Sequence, residues 1–580
     1  MARISARCGM RILLCVICAL AVVAGGIGWY LIRAKQNSSP LVIAYAHEDG
    51  QQSVTTTQWA QRVAAACDCD IIWRDVTPNS IEAQHANGMY TPYNSDPELK
   101  DLAQPDVFVS FTPVTGRDAI ARGQSDDYLN LRKYLKRMPN VTRYFQEVPQ
   151  AFETAQQADG SILSIPGDAG EDYDGSTVHM FINRIWLNRL GLNVPATWVQ
   201  LKDVLTAFRD GDPNGNGEHD EIPFAIRPTE DNNHEGTATF SNDGWQLLLN
   251  STGMTTQLNE QAGQNLFAVE HAAIQDVATS DAVRRVGNYL ADLASEGLVP
   301  RESFARSYAL KRYNEAMANA AQGKTDTTLN PVPDVSATFV GTSFAEYESQ
   351  LASATPLVGV AFAFDASAFA DNADQYESIP IPAEHDGIQP VWDRSGRARF
   401  NLTGVSVRAE SRHRDDALQA VDALFDETIS LAQFYGEDHI EMTHSDGRTT
   451  VNVYGDGTYP LGYGRSFVGW IRPGTIITGD KPRERYLAAD KPYREIYRHM
   501  GSNGVLPMGM YAPLIGGTGI GSPTDEWLAE QVCNASADFD RAASWNAYVQ
   551  SMTEGYDRAD DARDWQKEYD QYMKRDQTLR

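Results

Sequence analysis

Between Leu41 and Phe111 the sequence repeats one rhythm, and that rhythm narrows the fold more than any count of residue types. Leu41-Val42-Ile43-Ala44-Tyr45 is an apolar run of strand length, residues 59–64 are helical in pattern, and Asp70-Ile71-Ile72-Trp73-Arg74-Asp75-Val76 is strand-like again. Asp106-Val107-Phe108-Val109-Ser110-Phe111 continues the series. Antiparallel strands can be joined by two residues, whereas parallel strands need a crossover, usually a helix. Strand, helix, strand therefore predicts βαβ units and a parallel sheet, placing the chain in the α/β class. At 580 residues it is long enough for two or three core-bearing units.

The same reading extends along the chain. Helices are predicted over 129–138, 186–191 (stopped by Gly191), 198–208, 282–298 and 414–435, and strands over 162–166, 178–182, 358–364, 376–382 and 402–407. No internal repeat or low-complexity tract interrupts this pattern.

The first eleven residues carry Arg3, Arg7 and Arg11, and the next charge is Arg33, which leaves 12–32 as an uncharged run of 21 residues. That length spans a bilayer. The run ends in Trp29-Tyr30-Leu31-Ile32-Arg33, an interfacial aromatic belt with a basic stop. An uncleaved transmembrane anchor within 1–35 is expected, with the basic end inside and the remainder on the extracellular face; a cleaved secretory signal is the second reading. Cys15 and Cys18 sit too early in the run for lipid attachment.

Without the five basic residues of the first 35, 44 basic residues face 77 acidic ones, a net charge of about −33. Nucleic acid is excluded as a partner, because phosphate binding needs a positive surface. Cys67, Cys69 and Cys533 lie outside the anchor segment, and three is an odd number; whether Cys67 or Cys69 bridges to Cys533 stays open.

Residues 209–221 read RDGDPNGNGEHDE, the densest grouping of carboxylates, side-chain amides and glycines in the chain. Calcium takes six to eight oxygen ligands, and such side chains at alternate positions of a tight loop supply them. Two registers fit. From Asp210, the pattern D-x-D-x-N-G-x5-E is met by Asp210, Asp212, Asn214, Gly215 and Glu221. From Asp212, the ligands are Asp212, Asn214, Asn216, the carbonyl of Glu218, Asp220 and Glu221. A standard EF-hand continues into a second helix, which Pro223 disfavours. The bland alternative is a solvated polar loop.

A set of ordered blocks resembles the extracellular solute-binding proteins of ABC importers. These are Asp159-Gly160-Ser161-Ile162-Leu163-Ser164-Ile165-Pro166, then Met180-Phe181-Ile182-Asn183-Arg184-Ile185-Trp186-Leu187-Asn188-Arg189-Leu190-Gly191-Leu192-Asn193-Val194-Pro195-Ala196-Thr197-Trp198, then the segment 212–224. Later, Tyr376-Glu377-Ser378-Ile379-Pro380-Ile381-Pro382 and the tail Ser544-Trp545-Asn546-Ala547-Tyr548-Val549, with 565–575, match the large oligosaccharide-binding branch (family 1). Arg184 and Asn193 stand where lysines are common, and the anchor lacks the lipoprotein cysteine. The resemblance implies a type II periplasmic-binding-protein-like fold: two α/β lobes, hinge strands, and a ligand cleft between them. The expected division gives 36–170 and about 340–390 to lobe 1, and 171–339 and about 391–580 to lobe 2.

The resemblance also selects the register starting at Asp212, with Asp210 as an outer group and Ca2+ as a structural clasp. It implies a monomeric bacterial receptor that hands an oligosaccharide to ABC importer permease subunits. Sugars need aromatic platforms and polar edges. The aromatic residues in polar or glycine-containing surroundings are Phe111, Trp245, Trp392, Trp470 and Tyr511, and these are the expected ligand-binding set. Asp168, Glu171, Asp172 and Asp174 form an acidic group near the hinge. No nucleophile elbow, zinc pattern or P-loop is present, so no enzyme activity is expected. A surface carbohydrate-binding adhesin or sensor is the alternative, with a glycoside hydrolase behind it.

Overall fold

The computed structural model describes residues 39–46, 52–76, 104–110, 125–157, 159–228, 244–254, 267–321, 342–392, 399–455, 467–500, 523–534, 538–555 and 558–575. In chain order its regular elements begin with β1 (Leu41–Ala46), α1 (Gln58–Cys67), β2 (Ile71–Val76), β3 (Val107–Val109), α2 (Pro139–Glu147), α3 (Pro149–Ala155) and β4 (Ile165–Asp168). They continue with β5 (His179–Asn183), α4 (Arg184–Leu190), α5 (Trp198–Asp210), β6 (Ile222–Phe224), β7 (Phe267–Glu270), β8 (Ala273–Asp276), α6 (Asp281–Ser295), α7 (Ala305–Ala321) and α8 (Phe344–Leu351). Then come β9 (Val358–Ala363), β10 (Tyr376–Ile379), β11 (Phe400–Val407), α9 (Arg414–Leu424), α10 (Glu427–Tyr435), β12 (Ile440–Ser445), β13 (Arg448–Val453) and β14 (Ile476–Thr478). The helices α11 (Lys481–Asp490), α12 (Arg494–Met500), α13 (Pro523–Cys533), α14 (Arg541–Gly555) and α15 (Arg558–Lys574) complete the series.

Lobe 1 is built on a five-stranded sheet in the order β2-β1-β3-β11-β4. The βαβ expectation holds at its centre, where β1 pairs in parallel with β2 and with β3. All six residues of β1 are buried, as a strand covered on both faces requires. Helices α1, α2, α3 and α9 close one face, around Ile43, Trp59, Tyr144, Phe152 and Val421. Lobe 2 is built on a four-stranded sheet in the order β10-β5-β9-β6. Its main core gathers Trp186, Phe208, Trp245, Leu290, Phe362, Trp392 and Trp527.

Local signals set the helix ends. Thr197 accepts from the Gln200 N–H to start α5, and Ser280 accepts from the Val283 N–H to start α6. Gly191 stops α4 at φ 67°, as its position in the sequence predicted. Residues 131–137 form a tighter 3-10 helix in place of the expected α-helix. The single helix expected over 414–435 is broken after Leu424, where Asp426 caps α10 through the N–H groups of Thr428 and Ile429.

Strand pairing corrects the expected division into lobes. The segment 340–390 belongs with lobe 2, because β9 and β10 flank β5. Strand β11 returns to lobe 1, because it lies between β3 and β4, while residues from Tyr493 to Met552 pack in lobe 2. Which sheet a strand joins depends on distant hydrogen-bonding partners, and spacing along the chain does not carry that information. The apolar run 12–32 expected as an anchor lies outside the described residues. Among the described residues, no helix is long and apolar enough to cross a membrane.

Candidate functional site

Parallel α/β sheets bind ligands in the crevice outside the carboxyl ends of their strands. In lobe 1 that edge carries Ala46, Val76, Val109 and Asp168, the residues at which β1, β2, β3 and β4 end, with Ser110 directly after β3. Ser110 holds a left-handed backbone (φ 61°) that L side chains rarely adopt, and its N–H donates to the Gly404 carbonyl at 2.7 Å. Lobe 2 turns its own edge to the same junction. The segment after β4 enters lobe 2 at His179, paired with Ala363 at the end of β9, and β10 runs out at Ile379 beside Met180. Both lobes therefore present strand ends to the place where the chain crosses between them.

The crossing segments are held by charge. Asp168 accepts two hydrogen bonds from the Arg399 guanidinium, at 2.7 and 2.9 Å, and a third from the Gly170 N–H at 2.9 Å. Glu171 accepts from the Gly474 N–H at 3.3 Å, and Asp172 is paired with Arg483. The acidic group near the hinge is thus largely taken up in tying the first crossing segment to the second crossing and to 472–483. Further on, Asp490 accepts from the Tyr497 hydroxyl at 2.8 Å and the Ser176 N–H at 3.3 Å, and it lies 3.4 Å from His179 Nε2. Burial opposes its ionisation, but His179 and Tyr497 outweigh that and hold its carboxyl below the usual range. Gly175 is required here, since a Cβ would lie 2.5 Å from the Tyr486 hydroxyl and 2.6 Å from Asp490 Oδ1. Arg399, Arg483, His179 and Asp490 escaped the sequence reading because their partners lie hundreds of residues away.

The expected aromatic platforms are placed differently. Trp245, Trp392 and Trp470 are each 0% exposed. Their indole N–H groups donate to Asp525 Oδ1, the Val178 carbonyl and the Phe425 carbonyl, respectively. Trp392 packs on Tyr493 and Trp470 on Tyr144, with ring centres 4.8 and 5.3 Å apart. In this conformation all three are core side chains whose faces are covered by protein. The acceptors lie 280, 214 and 45 residues away along the chain, so polar neighbours in sequence did not reveal where each ring packs. Phe111 and Tyr511 lie outside the described residues.

The acidic loop occupies the opposite edge of lobe 2. It joins the end of α5 to β6, and Ile222 at the start of β6 pairs with Val358 at the start of β9. The six residues of β9 separate that edge from the crossing segments, roughly 17–20 Å at about 3.3 Å per residue. Three left-handed backbones, at Asp212 (φ 43°), Gly215 (φ 76°) and Gly217 (φ 81°), curl the loop tightly. Asp212 accepts from the N–H groups of Gly215 and Gly217, at 3.0 and 3.1 Å. Asn214 Oδ1 and Asn216 Oδ1 accept from the N–H groups of Asn216 and Glu218, at 3.0 and 2.8 Å. Each of these oxygens keeps a second lone pair. The Asn214 and Asn216 amides also converge on Asp220, at 2.9 and 3.0 Å.

Both side-chain oxygens of Glu221 are buried without a hydrogen-bond partner, and burial, reinforced by the charges of Asp220 and Asp212, pushes its carboxyl up. A buried carboxylate left without a donor beside two further carboxylates fits a hard cation. Among the described residues, no three His, Cys, Asp or Glu side chains stand close enough to hold a metal unaided. The loop's ligand capacity therefore includes its amides and carbonyls. Asp210 is committed elsewhere: it pairs with Arg209 at 2.6 Å on the last turn of α5.

No family model matches the chain. Over 188 residues, 31% of this chain, it is 29% identical to the fructooligosaccharide ABC transporter substrate-binding protein FusA of Streptococcus pneumoniae serotype 4, and the match spans only 32% of that protein. Across 93% of this chain and 100% of the other, the structure matches that of an HMO-binding ABC-transporter-associated solute-binding protein from Bifidobacterium longum infantis ATCC 15697, at TM-score 0.71 and 27% identity. In sequence and in fold the chain is similar to ABC-transporter solute-binding proteins. An EF-hand mutant of Streptococcus pneumoniae FusA in complex with fructo-nystose shares the fold of this chain at TM-score 0.62 and 18% identity, over 92% of this chain and 99% of the other.

Proposed function

We propose that this protein is a cell-surface receptor that captures an oligosaccharide between its two lobes and delivers it to the permease of an ABC importer. The observation that carries this reading is the match along nearly the whole chain to an HMO-binding relative, on a fold whose strand ends from both lobes face one crossing region. No bond is made or broken in this role. Lobe closure around the ligand is the working step, and the segments crossing at Asp168, Arg399 and 472–480 are where it bends. The 12–32 run tethers the receptor at the membrane, and the protein acts as a monomer.

The loop from Asp212 to Glu221 holds calcium, with oxygens from Asp212, Asn214, Asn216, the Glu218 carbonyl, Asp220 and Glu221. When bound, the ion supplies positive charge to a buried carboxylate and fixes the turn between α5 and β6. Its place at the far edge of lobe 2 makes it a clasp, separate from the ligand cleft.

Titration calorimetry against fructooligosaccharides, human-milk-type oligosaccharides and N-glycans, with chromatography of the recovered sugar, tests the reading. Saturable heat with one class and unchanged sugar supports a receptor. Cleaved sugar would replace it with a hydrolase, and binding with unaltered uptake in a deletion strain would replace it with an adhesin.

A further inference from the structure

The hairpin β7–β8 belongs to neither lobe's main sheet; it forms a two-stranded sheet of its own. Its two faces are divided between the lobes. Phe267, Val269 and Ile274 join the core of lobe 1, whereas Ala268, the intervening residue of β7, joins the core of lobe 2. Val269 and Ile274 are cross-strand partners and so share one face.

Helix α15 repeats this division at the end of the chain. Its predecessor α14 is rooted in lobe 2 through Trp545, Tyr548 and Met552. The buried rings of α15 itself, Trp565, Tyr569 and Tyr572, join the core of lobe 1. The Tyr572 hydroxyl donates to the Gln156 carbonyl at 3.0 Å, and Arg575 donates to Gln156 Oε1 at 3.1 Å and to the Glu153 carbonyl at 2.9 Å, all at the end of α3. Gln566 fastens hairpin to helix, accepting from the Ile274 N–H at 2.7 Å and donating to the Ala272 carbonyl at 3.2 Å.

Both elements leave lobe 2 at one point. Asp276, the last residue of β8, accepts from Arg558, the first residue of α15, at 2.6 and 2.7 Å. The same carboxylate accepts from the Ala278 N–H at 3.0 Å, where the chain returns to lobe 2, and the Ala278 carbonyl accepts from the Tyr548 hydroxyl of α14 at 2.9 Å. The Arg558 side chain is 7% exposed and lies over the Phe267 ring, 4.9 Å from its centre.

We propose that the hairpin β7–β8 and helix α15 form a strap that is rooted in lobe 2, docked on lobe 1, and pinned at its root by the Arg558–Asp276 ion pair, so that it restrains lobe opening. Crossing strands alone define a hinge that bends about one axis. A further attachment away from that axis must either slide on lobe 1 or flex where it is rooted. Three buried aromatic rings and three hydrogen bonds oppose sliding, so flexing falls at 276–278 and Arg558, where the bidentate pair stiffens it.

The test uses the full chain carrying Cys8→Ser, Cys15→Ser, Cys18→Ser and Cys533→Ser, labelled without reductant so that the Cys67–Cys69 disulfide stays closed, with spin labels at Gln61→Cys on α1 and Val199→Cys on α5, both exposed positions. Without ligand, Arg558→Gln and Asp276→Asn should each widen the interlobe distance distribution about twofold. Folded variants with the original width would overturn the strap. Native-state hydrogen exchange on the unaltered protein decides the matter if either variant fails to fold. Peptides 267–276 and 558–575 should open in one step with 149–157 of lobe 1. Opening of those peptides with α6 and α14 of lobe 2 would also overturn the proposal.

Discussion

Asp168 and Arg399 face each other across the two strands by which the chain passes between lobes: Asp168 closes β4, and Arg399 directly precedes β11. Their side chains are 0% and 5% exposed and share two hydrogen bonds, at 2.7 and 2.9 Å. Removing one partner strands the other charge in the interior, which costs about 3–5 kcal/mol, whereas removing both costs less. Arg399→Met should therefore destabilise the protein by about 3–5 kcal/mol in urea unfolding, and Asp168→Asn in the Arg399→Met background should recover part of that loss. A single-variant loss under about 1 kcal/mol would show that solvent reaches the pair.

The acidic loop predicts a separation of stability from ligand affinity. At free calcium a hundred times the dissociation constant, the ion adds about 2.7 kcal/mol. A chelator should lower the melting temperature by several degrees, and calcium should restore it. Asp212→Ala and Glu221→Gln should each weaken calcium binding at least tenfold by calorimetry, while Asp210→Ala should leave it near the original value, since Asp210 is paired with Arg209. Ligand affinity should change less than threefold, because β9 lies between loop and cleft. Unchanged calcium affinity in Asp212→Ala would refute the register.

What the sequence disclosed and what it concealed divide along physical lines. The parallel core of lobe 1 and the Gly191 stop were legible because each rests on neighbours within a few positions. The lobe assignment of β9, β10 and β11 was not, because partners such as Phe362 and Met180 are far apart in sequence. The three tryptophans misled for the same reason: the groups that cover their rings and accept from their N–H lie far along the chain, and polar neighbours in sequence say nothing of them. The hinge acids were visible as a group, but their counter-charges Arg399 and Arg483 were not, because they lie 231 and 311 residues away.

The cysteines resolve as Cys67–Cys69, joined across the end of α1, with Cys533 unpaired. A disulfide stabilises by closing a loop in the unfolded chain, and this loop is very short. Replacing both cysteines with serine should cost about 1.5–2 kcal/mol in chemical unfolding, well below what a long loop gives. Burial pushes the Cys533 thiol up to about 12, and its Sγ lies 3.5 Å from the Arg301 carbonyl. At pH 8 iodoacetamide should label Cys533 at least a hundredfold more slowly in the native protein than in urea. Rapid native labelling would indicate that α13 opens locally.

Asp422 on α9 caps a different helix: its Oδ1 accepts from the N–H groups of Asn140 and Val141 at 2.8 and 3.1 Å, at the start of α2. Proline at the first position of α2 removes one donor, and these two N–H groups are the next that need an acceptor. Burial pushes the Asp422 carboxyl up to about 6, outweighing the two backbone donors. A group whose folded value lies above its unfolded one contributes stability that is complete below the unfolded value, about 3.9, and is lost as pH rises through the folded one. The Asp422 contribution should therefore decline between about pH 4 and pH 6 and stay flat above. Asp422→Asn keeps the accepting oxygen and removes the charge, so it should match the original protein near pH 4 and exceed it by on the order of 1 kcal/mol at pH 7.5. Asp422→Ala removes the cap and should lose about 1–2 kcal/mol near pH 4, a deficit that shrinks as pH rises through about 6. Urea unfolding of the three proteins from pH 4 to 8 separates the effects, and an Asp422→Asn protein less stable than the original at pH 7.5 would mean that the ionised cap is worth more than its burial costs.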